Sequence, residues 1–423
     1  MSFWRKIKTA FGDKSIRRRI LFVLFILAVF RLLSTIPIPG VDAFRLQGFL
    51  QSSQFLGILN IFSGGGLSAL SIVMLGIGPY ITASIVMQLM TMMSPRLKSM
   101  YHEEGEAGRA RFSQYSRILT IPLSLIQGFA LLKLLDSQGI LESMTSFDKA
   151  VALIVITAGS MFLLWLGELI NEKGIGNGTS IIIFAGIVAA LPAQISQFAF
   201  TFTKASIPLY LGFALVAVLV ILGVVLVTEA ERMIPITYAK QARVGGSLGQ
   251  SSSYLPIKIN QAGVMPIIFA LSILSLPQLL APFMTVSNIE IIKKVGDAFT
   301  WFTQNANWWY SIAYFVLVFL FTYFYTAITV EPEAMATNLQ KSGAFIPGIR
   351  PGTSTTEYLS KIITRVTFLG ALFLGVIAVL PFIMQQLSGL QTLAIGGTAL
   401  LIVVSVVLDI LKKIDGQVSM RQY

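Results

Sequence analysis

The sequence predicts an all-α polytopic membrane protein. Ten transmembrane helices form two inverted five-helix halves around a central pore, with a short re-entrant helix. Three observations carry that prediction. The 423 residues are 55% hydrophobic and only 12% charged, with a mean hydropathy of +0.78; an average soluble domain carries about 25% charged residues. Ten apolar runs come close to the roughly 20 residues that a spanning helix needs. Lys and Arg are also divided unequally between the connections.

The runs are 20–36, 73–93, 115–135, 151–170, 179–198, 209–228, 262–282, 309–328, 366–385 and 393–411. The first follows Arg17, Arg18 and Arg19, as the apolar part of a signal peptide would. IPIPG (36–40) stands where a small-residue cleavage site belongs, so this run is expected to stay as a span. With a cytoplasmic N-terminus, 24 of the 31 basic residues fall in cytoplasmic segments. The other seven are Arg31, Arg45, Lys133, Lys149, Lys204, Lys293 and Lys294. Ten spans bring both termini to the cytoplasmic side. The fifth ends outside, so a second set of five starts from the opposite side to the first. That is the arithmetic of an inverted repeat, 1–205 and 206–423, with a cavity between the halves.

Phe62 to Met93 is the most interrupted stretch. Gly64, Gly65 and Gly66 open it, and Gly76, Gly78 and Pro79 break it again before a clean apolar helix pattern. Irregular backbone at membrane depth is tolerated only where protein or a water-filled cavity covers it. The piece 57–70 is too short to span, reaching about two thirds of the way at about 1.5 Å per residue. It is expected to re-enter from one side.

Much chemistry is excluded. Cysteine is absent and His102 is the one histidine, so thiolate or imidazole metal sites and catalytic triads are not expected, nor is any cofactor. No GxxxxGK[ST] phosphate loop is present, so any ATP must be hydrolysed by a partner, and the chain is expected to be a conduit and not an enzyme. Glu168, Glu229 and Asp409 lie near cytoplasmic helix ends, where they can reach the interface. Ion-coupled carriers place acids near the midplane. A secondary transporter with a broken-helix binding site is therefore the alternative reading, and it lacks its charges.

The middles of the cavity helices are apolar instead. Ile81 and Ile85, and Ile183 and Ile187, are spaced four apart and so share helix faces; Ile268 follows Pro266 and Ile402 lies in LLIVVSVV. Composition alone favours lipid-facing or core isoleucine. The sharper reading is a constriction that excludes water and ions by dewetting. Thr82, Ser84, Gln88, Ser124, Gln127 and Asn260 are polar within spans; they serve inter-helix hydrogen bonding or a seam that opens. Two long cytoplasmic loops, 229–261 and 329–365, carry Ile234, Ile236, Tyr238, Phe345, Ile346 and Ile349, which as exposed apolar residues ask for a partner surface. Lys240, Arg243 and Arg350 supply charge suited to RNA or an acidic protein.

IPIPGV (36–41), GGGLSALSI (64–72), LGIGPYITASIVMQL (75–89), GIGNG (174–178), SIIIFAGIVAALP (180–192), PITYAKQ (235–241), GVMPIIFA (263–270) and IPGIRPG (346–352) occur in this order. Together they resemble the bacterial SecY family, central subunits of the general protein-translocation channel. The resemblance spans nearly the whole chain and implies an hourglass pore between two five-helix halves hinged between spans five and six. It implies a plug near 57–70, including Phe62, Gly64, Gly65, Gly66, Leu67 and Leu70. It implies a pore ring of Ile81, Ile85, Ile183, Ile187, Ile268 and Ile402, and a lateral gate between spans two and three and spans seven and eight, near Thr82, Ser84, Gln127 and Asn260. Lys240, Arg243 and Arg350 match docking sites for the motor ATPase SecA and the ribosome. SecE and SecG are the implied small partners, signal sequences and unfolded polypeptides the substrates, and a bacterial plasma membrane the location.

Overall fold

A computed structural model describes residues 13–38, 60, 63–137, 139–141, 145–200, 207–238, 253–285, 289–304, 308–388 and 391–419. A helix covers most of each of the ten predicted runs. They are α1 (Lys14–Ser34), α2 (Gly78–Met93), α4 (Gly105–Ser137), α5 (Ser146–Lys173), α6 (Gly178–Phe200), α7 (Ile207–Glu229), α8 (Met265–Thr285), α10 (Trp308–Thr329), α12 (Thr353–Ser388) and α13 (Gln391–Ser419). Between them lie three short helices, α3 (Pro95–His102), α9 (Glu290–Gln304) and α11 (Pro332–Lys341), and three strands, β1 (Glu231–Tyr238), β2 (Ser253–Lys258) and β3 (Ala344–Phe345). Among the described residues, four helices are long and apolar enough to cross a membrane by length and composition.

Local chemistry sets several boundaries. The Asp13 side chain accepts from the Ser15 N–H and caps α1. Proline stands in the first turn of α2, α3 and α11, where its missing N–H costs nothing. A reciprocal capping box between Thr145 and Asp148 starts α5.

The run expected as a helix from 73 begins five residues later. Residues 63–70 and 72–77 are turns and Ser71 bridges Pro37, so of the described part of the re-entrant piece only Asn60 is helical. The reason is long-range. Ile38 N–H donates to Leu70 O (2.9 Å) and Ile72 N–H to Ile36 O (3.1 Å). The backbone groups that would have closed helical turns are bonded to the chain leaving α1. Phe62 lies outside the described residues.

In lipid, close backbone packing and hydrogen bonds hold helices together more than burial does. Here α4 packs on α2 and α5, α5 on α6, α10 on α8 and α12, and α13 on α12 and α7. A Cβ on Gly178 at the start of α6 would lie 1.8 Å from Gly167 O of α5, so these two backbones touch directly. The two sets of five meet where α8 packs on α2 and α4, and where α13 packs on α6.

The described parts of the long loops are structured. β1 pairs antiparallel with β2, from Glu231 opposite Lys258 to Ile236 opposite Ser253, and then with β3, Thr237 opposite Phe345. The apolar residues expected to seek a partner largely satisfy one another. Ile234, Ile236 and Ile346 are buried with Ile257, Ala336, Leu359 and Ile363, and Tyr238 and Ile349 pack at the margin. Alternation along β1 explains it: Ile234 and Ile236 point inward while Met233 stays exposed.

Candidate functional site

Ile81 and Ile85 come from α2, Ile183 and Ile187 from α6, Ile268 from α8 and Ile402 from α13. All six are buried, none more than 7% exposed, and all belong to one apolar cluster that crosses both sets of five helices. Proline residues in and before these helices do not disperse them; Pro79 merely starts α2 two residues before Ile81.

One side of this apolar waist leads to a cavity of about 300 Å³. Its floor includes Ile268 and Ile402, and its walls carry Asn177, Asn260, Lys258 and Lys412. Its lining is therefore mixed, with Lys258, Lys412, Lys413 and Asp409 as the charged groups and Ile268 and Ile402 among the apolar ones. The interfacial acids are paired. Glu229 binds Lys412 (2.9 Å), Asp409 binds Lys413 (3.3 Å), and Glu168 binds Arg117 of α4.

The turns 63–77 sit against α1, α5 and α6. A Cβ on Gly64 would lie 2.2 Å from the Phe30 ring of α1 and 3.2 Å from the Gly186 Cα of α6, between Ile183 and Ile187. Gly64 has φ +68°, a left-handed backbone that side chains resist. Its carbonyl accepts from Arg31 Nη1 at 3.1 Å. Gly65 is half-buried, Gly66 and Leu67 are buried, and Leu70 is buried at φ +39°. On α5, a Cβ at Gly159 would lie 2.1 Å from Ile72 O, so that helix presses on the same segment. Arg31 and Gly159 carry no signal in the sequence, because both act through contacts across the fold.

The four residues expected at a polar seam do not form one cluster. Gln127 Nε2 donates to Thr82 Oγ1 at 3.4 Å, joining α4 to α2. Ser84 bonds Gln88 within α2. Asn260 donates to Gly263 O, and its Oδ1 is buried without a partner among the described residues. Among the described residues, one polar contact that crosses between the sets has no counterpart in the sequence reading. His102 of α3 lies 3.4 Å from Glu331, the residue that precedes α11. A lone histidine offers no pattern from which to infer its mate.

Arg350 is exposed between β3 and α12, in a turn closed by Ile349 N–H to Ile346 O (3.1 Å). Thr355 Oγ1 donates to its carbonyl at 3.0 Å. Lys240 and Arg243 lie outside the described residues.

These features define a polytopic helical membrane protein with a buried apolar cluster and an adjoining polar cavity. The SecY family model matches residues 71–411. A protein translocase subunit SecY of Corynebacterium glutamicum is 39% identical over 98% of this chain and 98% of its own. Another from a Synechocystis species is 41% identical over 96% and 93%. The fold is similar to a solved protein-conducting channel, with a TM-score of 0.65 at 19% identity, covering 96% of this chain and 93% of that one. It is also similar to Sec61 in the canine ribosome–channel complex (TM-score 0.60, 18% identity, 96% and 93% covered). The chain belongs to the SecY family.

Proposed function

We propose that the chain is the central subunit of a protein-conducting channel, passing unfolded polypeptides across the bacterial plasma membrane and releasing apolar helices sideways into lipid. One observation carries the reading: six isoleucines from four helices of both sets meet in a single buried cluster beneath the polar cavity. An apolar collar can fit varied side chains without binding any of them tightly, and it resists water and ions while empty. The segment around Gly64 to Leu70 acts as the plug under that ring, seated on Phe30 and Gly186. The packing of α8 on α2 and α4 is the lateral gate in its closed position, with Thr82, Ser84, Gln127 and Asn260 setting how readily it opens. Residues 1–205 and 206–423 are its two halves, and both termini are cytoplasmic. The polar cavity and Arg350 then face the ribosome or the SecA motor, while SecE and SecG bind at the periphery.

The test is reconstitution. Vesicles containing this chain with its small subunits, supplied with the motor and ATP, should take up an unfolded secretory precursor into a protease-protected form. Absence of protection, with uptake of a small solute by the chain alone, would sink the channel reading.

A further inference from the structure

Helix α9 is not accounted for by the pore. It follows α8 directly and folds back on that helix's end, with only 286–288 and Ile289 between them. A Cβ on Gly296 would lie 2.7 Å from both Met284 Cβ and Thr285 N, so backbone meets backbone at this crossing. Because α8 starts beside β2 and is 21 residues long, its far end lies about 30 Å from the hairpin side.

The rest of α9 is sharply two-sided. At about 100° per residue, Ile291 and Val295 lie on a side well away from Gly296, and both are exposed, Ile291 by 74%. Lys293 and Asp297 project from a separate polar side. Lys294 pairs with Glu290 at 2.8 Å, and the four charges of the helix sum to zero. Trp301 is exposed near its end. On α10, the next described helix, Trp308, Trp309 and Ile312 are also exposed. Tryptophan in such a position favours the boundary between acyl chains and headgroups. The exposed flank of α10, a membrane-crossing helix, faces lipid.

We propose that α9 is a membrane-surface helix, lying in the plane of the bilayer with Ile291 and Val295 among lipid acyl chains, and that it anchors the far end of α8 to that leaflet. The partner is the lipid itself. Neutral charge pairing excludes a mainly electrostatic attachment, and an amphipathic helix next in the chain to a membrane-crossing one gains from burying its apolar side at the interface. Through Gly296 the attachment reaches α8, so displacement of α8 must drag a lipid-held element with it.

The chain contains no cysteine, which makes the test direct. Ile291→Cys, Val295→Cys, Lys293→Cys and Asp297→Cys are each labelled with an environment-sensitive fluorophore in the full chain. Each is reconstituted in phosphatidylcholine and phosphatidylglycerol vesicles containing acyl-brominated lipid. Quenching by the brominated chains is expected to be at least about threefold stronger at 291 and 295 than at 293 and 297. Equal quenching at all four positions overturns the proposal. So does protection of 291 and 295 from iodide without quenching by lipid, which would mean that protein covers the stripe. If a labelled variant fails to fold, intrinsic tryptophan fluorescence decides instead. Brominated lipid should quench the added fluorescence of Ile291→Trp more than that of Lys293→Trp, and equal quenching of the two overturns the proposal.

Discussion

A methyl group on Gly64 tests the seating of the plug. Two costs fall on Gly64→Ala. Its φ of +68° places alanine in the left-handed region, at about 1–2 kcal/mol. The new Cβ would also stand 2.2 Å from the Phe30 ring and 3.2 Å from Gly186 Cα. Phe30 is 2% exposed and has little room to yield, and overpacking of this kind costs about 1–3 kcal/mol. Together they disfavour the seated position by about 3 kcal/mol. At about 1.4 kcal/mol per factor of ten, the unseated population rises roughly 10²-fold. Planar-bilayer recordings of the reconstituted channel should show a matching rise in open events. Gly348→Ala is the control. It shares the positive φ (+82°), but its Cβ meets nothing within 4 Å and it lies far from the waist, so conductance should not change. Arg31→Ala removes the 3.1 Å bond to the Gly64 carbonyl without adding bulk. It should act in the same direction, weakening the seat by about 1.5–3 kcal/mol. If both Gly64→Ala and Arg31→Ala fold and conduct like the parent, residues 63–70 do not seal the pore.

Three further outcomes are expected. Ile183→Ser with Ile187→Ser wets the collar and should raise resting ion conductance, while a silent double variant would argue that the cluster is only core packing. Arg350→Glu should lower motor- or ribosome-dependent transport at least about tenfold while leaving thermal stability within about 0.5 kcal/mol, as an exposed substitution does; unimpaired transport would remove Arg350 from the docking surface. Glu331→Gln breaks the His102 contact between α3 and the start of α11. The pair is partly exposed, so the effect is bounded at about 1 kcal/mol. Disulfide trapping between cysteines introduced on α2 and α8 should then drop up to about fivefold, and an unchanged yield would mean that the pair does not clasp the seam.

The helices are legible in the sequence because apolar length is a local property. Their partners are not. Ile81 and Ile85 repeat at four just as lipid-facing isoleucines do, and only the fold shows them buried, in the same large apolar cluster as Ile183, Ile187, Ile268 and Ile402. Hydropathy misplaces the start of the second helix because Ile72, Val73, Met74 and Leu75 are as apolar as any helix, while the bonds that hold their neighbours in turns reach back to Ile36 and Ile38. It passes over α9 because the charges there lower its hydropathy below that of a span. In β1 the opposite happens. The alternation of Ile234 and Ile236 with exposed positions is visible, but reading the segment as a loop turns an internal core into an interface.

That last correction changes how docking must work. With Ile234, Ile236, Ile257 and Ile346 occupied internally, those side chains are not open to a partner. The described part of the platform instead exposes Met233, Tyr254 and Arg350. The same core includes Leu359 and Ile363 of α12. This single helix of 36 residues, about 54 Å long, runs on to Leu374, Ile377 and Phe382 in the cluster that contains the ring. Along the way a Cβ at Gly370 would lie 2.7 Å from Ile259 O, one residue before Asn260 and the turn into α8. A displacement of the platform therefore acts on one long rod, interrupted in its hydrogen bonding at Pro381 just before Phe382, which touches both the apolar cluster and the turn into α8. Small residues at Gly370 and Gly375, where the neighbouring Phe315 ring presses in, keep that rod close enough to transmit the motion.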